Sequence, residues 1–171
     1  MSASIRVIRL SLLGLALLSV LATGYELAAE RHWHEPLQLV PWIVLVILVA
    51  ATGLAALPAR RAAIRIARAL AGLALLASVF GVYEHVAANF EVGGQDPSYA
   101  ASWESRPAVV RWLLAATKSV GEAPPIAPGA LGQTALIVLL ASAIGRAGPG
   151  SEPAWSPRPA EPDRAQLSCR E

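Results

Sequence analysis

The chain has 171 residues, of which 55% are hydrophobic and 15% charged, against roughly 25% charged residues in an average soluble domain. That balance, with the apolar residues gathered in four long blocks rather than spread at helical or strand spacing, excludes an ordinary soluble globule. Net charge is +2, from 14 Lys and Arg against 12 Asp and Glu, and the basic residues do not cluster with aromatics on one face, which excludes a nucleic-acid-binding surface.

A hydrocarbon core of about 30 Å takes around 20 helical residues to cross, since lipid offers the backbone no hydrogen-bond partners. The first segment of that kind runs over residues 10–28. A cleaved signal peptide is its competing reading: Arg6 and Arg9 form a basic region, Leu10 to Leu21 an apolar one, and Val20-Leu21-Ala22 a small-residue cleavage motif. Against cleavage, the apolar stretch continues through Leu27 to Ala29. The second span covers 37–57, with Pro41 in the first turn, where a missing N–H breaks no helical bond. The third covers 66–89.

The loop that follows, about Glu91 to Ala127, is long enough to need structure of its own. Gly93-Gly94 and Asp96-Pro97 mark turns in it. From Ala108 to Val120, the residues Val109, Leu113, Ala116 and Val120 form one stripe, with Arg111 and Lys118 on another. This predicts a short interfacial helix lying along the outer membrane surface with Trp112 as its anchor, a re-packed loop being the other reading. The fourth span covers 128–144, opened by Pro124-Pro125 and Pro128-Gly129. The expected domain thus occupies 1–147, and 148–171, a mixture of Pro, Ser, Gly, Arg and Glu without apolar period, is expected to be a disordered tail. The lone cysteine, Cys169, lies in that tail, so no intramolecular disulfide forms.

Orientation follows from the basic residues. Arg6, Arg9, Arg60, Arg61, Arg65, Arg68, Arg146, Arg158, Arg164 and Arg170 fall on one side; only Arg31, Arg106, Arg111 and Lys118 fall on the other. The positive-inside rule then makes both termini cytoplasmic and sends the first and third loops outward. Most aromatics, Trp33, Trp42, Trp103, Trp112, Tyr25, Tyr83, Tyr99, Phe80 and Phe90, fall at that outer level, where amphipathic rings prefer to lie. Within the spans, Ala67, Ala71 and Ala74, the Ala77/Gly81 pair and the Ala141/Gly145 pair predict close helix approach. No span carries a charge at its middle, so nothing marks a proton relay or ion path.

The ionisable residues gather instead where spans one and three end on the outer side. Glu26, Glu30, Arg31, His32, His34 and Glu35 belong to the first; Glu84, His85, Asn89 and Glu91 belong to the third. At helical spacing, Glu26/Glu30, Glu30/His34 and His85/Asn89 would each share a face. Imidazoles with carboxylates suit zinc, copper, iron or manganese, which makes His32, His85, Asn89, Glu91, Glu84 and Glu30 the candidate ligand or metal residues. No dense signature such as His-Glu-x-x-His is present, and the competing reading is a structural polar layer that caps carbonyls and solvates the boundary. Gln38 and Gln133 are candidates for bridging helices at that depth.

Three stretches, His32-x-x-x-Pro36-x-Gln38-x-x-Pro41, Gly81-Val82-Tyr83-x-His85-x-x-x-Asn89-x-Glu91 and Pro124-Pro125-x-Ala127-Pro128-Gly129-x-x-x-Gln133, resemble a family of small bacterial integral membrane proteins of uncharacterised function. The resemblance implies a four-helix protein of the bacterial inner membrane with its marked polar positions at the outer face, and no activity comes with it. The chain departs from it in the Glu30-Arg31-His32-Trp33-His34 run and in a longer third loop.

The sequence therefore predicts an all-α, four-span membrane protein with a transmembrane helix bundle and an outer polar layer. No nucleophile–base pair or cofactor loop is present. The leading expectation is a non-enzymatic accessory or assembly component, contacting the bilayer and a membrane-protein partner or a second copy. The alternative is a protein, an enzyme included, that binds a metal or polar ligand through the outer cluster.

Overall fold

The computed structural model describes residues 3–57 and 61–144. The tail expected over 148–171 lies outside these residues, as do Gly145 and Arg60. Five α-helices follow in chain order: α1 (Ala3–Ala29), α2 (Val40–Ala56), α3 (Arg61–Val92), α4 (Ala108–Ala116) and α5 (Ala127–Ala143). Short 3-10 turns at Pro36–Leu39, Gly93–Gln95 and Ala100–Ser102 complete the secondary structure, and no strand occurs among the described residues.

Among the described residues, three segments are long and apolar enough to cross a membrane: Ala3–Ala29, Pro36–Ala56 and Arg61–Gln95. The fourth apolar helix, α5, has 17 residues and is therefore about 25 Å long. The third helix exceeds its expected span at both ends, because the flanking Arg61, Arg65 and Glu91 are as compatible with an α-helix as the apolar stretch between them.

Each of α1 and α3 packs on both α2 and α5, and α2 also touches α5. Small residues permit this. Ala16, Ala51, Ala55, Ala67, Ala71, Ala74, Ala135 and Ala141 are fully buried, so the backbones meet with little side chain between them. Gly81 faces Pro128, and a Cβ at Gly132 would lie 2.6 Å from the Ser78 hydroxyl oxygen. The large apolar side chains point the other way: Leu18, Val46, Leu76 and Leu140 are all at least 60% exposed.

Two arginines close the end of the bundle where α2 and α5 finish. Arg9 of α1 donates to the Ala55 carbonyl in the last turn of α2. Arg68 of α3 donates from Nε to Ser142 Oγ and from Nη2 to the Ser142 carbonyl, both at 2.9 Å, in the last turn of α5. Helix ends leave carbonyls without intrahelical partners and carry partial negative charge, so a guanidinium satisfies both needs. The same interval separates Pro41 from Ala55 and Pro128 from Ser142. The pairs α1/α2 and α3/α5 therefore repeat one arrangement: a long helix holds the C-terminal end of a shorter one that begins with proline.

Candidate functional site

The helix α1 ends in a Schellman motif, with the His32 amide donating to the Leu27 carbonyl and the Arg31 amide to Ala28. Arg31 takes the left-handed conformation, φ +51°, that this motif requires. The helix thus stops before Glu30 and His34 can share a helical face, and that expected pair is absent. His34 donates from Nδ1 to the Arg31 carbonyl at 2.8 Å. The His32 carbonyl accepts from Trp42 Nε1 at 2.8 Å, tying the first loop to α2. Gln38 does not bridge helices: its Oε1 accepts from the His34 amide at 2.8 Å and the Glu35 amide at 3.4 Å, holding the turn that leads into Pro41. Gln133 is exposed.

The third helix presents the most organised part. Ser78, His85 and Asn89 stand on one face of α3, at i, i+7 and i+11, and each meets the backbone of the segment that returns toward α5. Ser78 Oγ donates to the Pro128 carbonyl at 2.5 Å. His85 Nδ1 donates to the Pro124 carbonyl at 2.8 Å, which leaves Nε2 as the ring's lone-pair nitrogen in the neutral form. Asn89 is 1% exposed. Its Nδ2 donates to the carbonyls of Ala115, 3.1 Å, and Ala123, 2.8 Å, while Oδ1 accepts from the Ala123 amide at 3.0 Å. Every hydrogen-bonding site on that amide except one oxygen lone pair is engaged. Gly121 makes the fit possible: its φ is +73°, and a Cβ there would lie 2.7 Å from Asn89 Cα.

Above this clamp sits a small second core of Trp103, Ala115 and Val120, with Val86, Phe90, Tyr99 and Leu114 against it. Trp103, expected at the membrane interface, is 3% exposed and packs against Gly93, where any Cβ would collide with its ring. Phe90 meets Trp103 edge-on with centroids 5.6 Å apart. Arg111 lies between these rings, its guanidinium carbon 5.4 Å from the Phe90 centroid and 5.9 Å from Trp103, and pairs with Glu104 at 3.3 Å. Val120 belongs to this core and not to the stripe of α4. The helix ends at Ala116 in a second Schellman motif, Ser119 to Leu114 and Lys118 to Ala115, with Lys118 at φ +56°.

Of the candidate ligand residues, the structure brings His85 and Asn89 onto one face and occupies both with backbone carbonyls. Glu84 is half-buried, while Glu30 and Glu91 are exposed. Among the described residues no group of three or more His, Cys, Asp or Glu is placed to hold a metal. Sequence reading missed Ser78, Gly121 and Ser142, and gave Trp103, Arg9 and Arg68 only the roles of interface aromatic and orientation markers; for Ser78 the signal was present, since it shares the spacing of His85 and Asn89. Compared with known proteins, the chain matches no family model, no curated protein and no solved structure.

Proposed function

We propose that the chain is a four-span protein of the bacterial inner membrane, both termini cytoplasmic, acting as a non-enzymatic accessory or assembly component of a membrane complex. The observation that supports this best is the occupation of its outer polar residues. Asn89, His85 and Gln38 hydrogen-bond to the chain's own loops, so the layer that resembled a ligand site serves to fix the outer connections on α3 and α2. The exposed faces of the long helices are apolar, with Leu18, Val46, Leu76 and Leu140 turned outward, and in lipid such surfaces associate through packing rather than through the hydrophobic effect.

The test is purification in mild detergent followed by native electrophoresis and crosslinking. Migration as part of a larger complex or a homo-oligomer is expected, and a solitary stable monomer counts against the reading. Cys169, the only cysteine, reports topology. A membrane-impermeant maleimide should label it in inverted vesicles and leave it unlabelled in intact spheroplasts; the reverse pattern refutes the orientation.

A further inference from the structure

The helix α4 is turned with its apolar side outward. Val109 and Leu113 are 66% and 60% exposed, Trp112 and Ala116 are exposed beside them, and the four share one face at i, i+3, i+4 and i+7. The charged residue of the helix, Arg111, points inward instead. Its guanidinium lies against Phe90 and Trp103, its Nε is buried without a hydrogen-bond partner, and only Nη1 reaches out, to the exposed Glu104 on the side away from the Val109/Leu113 face. A helix facing water would place these groups the other way round, so the medium against α4 is apolar.

Its level along α3 identifies that medium. The short helix α5 is held to α3 between Arg68 and Ser78, a rise of about 15 Å, and its 17 residues reach about 25 Å of a hydrocarbon thickness near 30 Å. Beyond Ser78 the segment before α5 covers only the Gly81/His85/Asn89 face of α3, and the flank that carries Tyr83 and Phe90 would be left bare. There α4 takes over: Trp112 stacks on Tyr83 at 6.4 Å and on Phe90 at 4.6 Å between centroids. Tyr83 and Phe90 lie about 22 and 33 Å along α3 from Arg68, so Trp112, stacked on both, straddles the outer boundary of a core about 30 Å thick when Arg68 marks the inner one. The exposed residues Leu76, Phe80 and Tyr83 of α3 pass into Trp112, Val109 and Leu113 of α4 through the Tyr83–Trp112 stack, forming one continuous apolar surface. Tryptophan and tyrosine at that level are the side chains that favour the headgroup boundary.

We infer that α4 is immersed along its Val109/Trp112/Leu113 face in the outer leaflet of a phospholipid bilayer, where it completes the wall that α5 is too short to provide. This rests on the membrane-spanning reading above. The experiment places single cysteines in a Cys169→Ser background at Leu113, Val109, Lys118 and Leu76, attaches a nitroxide to each, and measures collision with oxygen and with a water-soluble nickel chelate in proteoliposomes. The oxygen-to-nickel ratio is expected to be severalfold higher at 113 and 109 than at the exposed Lys118, and higher still at Leu76. Nickel access at 113 and 109 equal to that at 118 puts the face in water and overturns the proposal. Exclusion of both reagents there means protein covers it, which also overturns it. Loss of the oxygen signal at Leu76 overturns the membrane-spanning reading itself, a failure distinct from either of those.

Discussion

Replacing Asn89 by alanine removes three hydrogen bonds that hold the outer segment on α3, and the structure tells which losses count. The Ala115 carbonyl keeps the amides of Thr117 and Lys118 as donors, so its loss is small. The amide and carbonyl of Ala123 have only Asn89 as their partner among the described residues, and an unpaired buried polar group costs about 1–3 kcal/mol. Partial access of water to half-buried Ala123 brings the total to about 2–4 kcal/mol, and at about 1.4 kcal/mol per factor of ten that is roughly a 30- to 700-fold shift toward the undocked loop. Hydrogen exchange by mass spectrometry, on protein in nanodiscs, is the assay. Amides 115–126 should lose protection by that factor while those of α2 and α5 change little, because Asn89 lies outside their packing. Asn89→Asp, which keeps an oxygen for the Ala123 amide but turns a second oxygen toward the Ala115 and Ala123 carbonyls, should be at least as damaging. Unchanged protection of amides 115–126 in both variants would refute the clamp.

Further consequences can be measured separately. Gly121→Ala should open the same segment, by about 1 kcal/mol or more, because it combines a left-handed backbone with a Cβ against Asn89. Gly132→Ala and Ser78→Ala form a double-mutant cycle: each alone should lower the thermal midpoint in detergent, and the pair should lose less than the sum, since Ser78→Ala removes the oxygen with which the new Cβ collides. Additive losses would mean the two sites do not meet. Lys118→Gly, relieving a non-glycine left-handed residue at the end of α4, should stabilise by roughly 1 kcal/mol, read as slower exchange of amides 113–119. Elemental analysis of wild type and a His32→Ala/His85→Ala variant should return the same metal content; stoichiometric metal lost in the variant would move the outer cluster from structural layer to ligand site.

The helices were legible because long apolar runs leave the chain few alternatives, and because Pro41 and Pro128 sit where a helix begins. The outer site was legible only as residue types. Asn89 and His85 attracted attention as candidate ligands because polar groups near a membrane boundary must be satisfied by something. Sequence spacing on α3 does not reveal that the satisfying groups come from Ala115, Ala123 and Pro124, brought back by a loop whose path depends on a left-handed glycine and a tryptophan packed against Gly93. Glu30 and His34 lost their expected helical register for a local reason, the Schellman turn at Arg31, a position where glycine is the usual signal and arginine gave none. Arg68 was read as a marker of orientation. Its bonds to Ser142 could be known only once α5 was placed beside α3.

The repeated arginine clamp bears on how such a chain is made. The ribosome delivers Arg9 before α2 exists and Arg68 before α5 exists, so each shorter helix emerges when the anchor for its far end is already in place. For α5 this order matters most, because its 17 residues lack the extension that the Pro36–Leu39 turn gives α2, whose apolar segment runs to 21, and are short to remain in a bilayer unaided. If the chain spans the membrane as proposed, residues 3–57 would insert as a finished hairpin, whereas α5 would depend on α3 having been inserted ahead of it. On the proposed membrane-spanning reading, biogenesis of the second half becomes a templated step, in which the nascent helix is retained by a partner synthesised moments earlier.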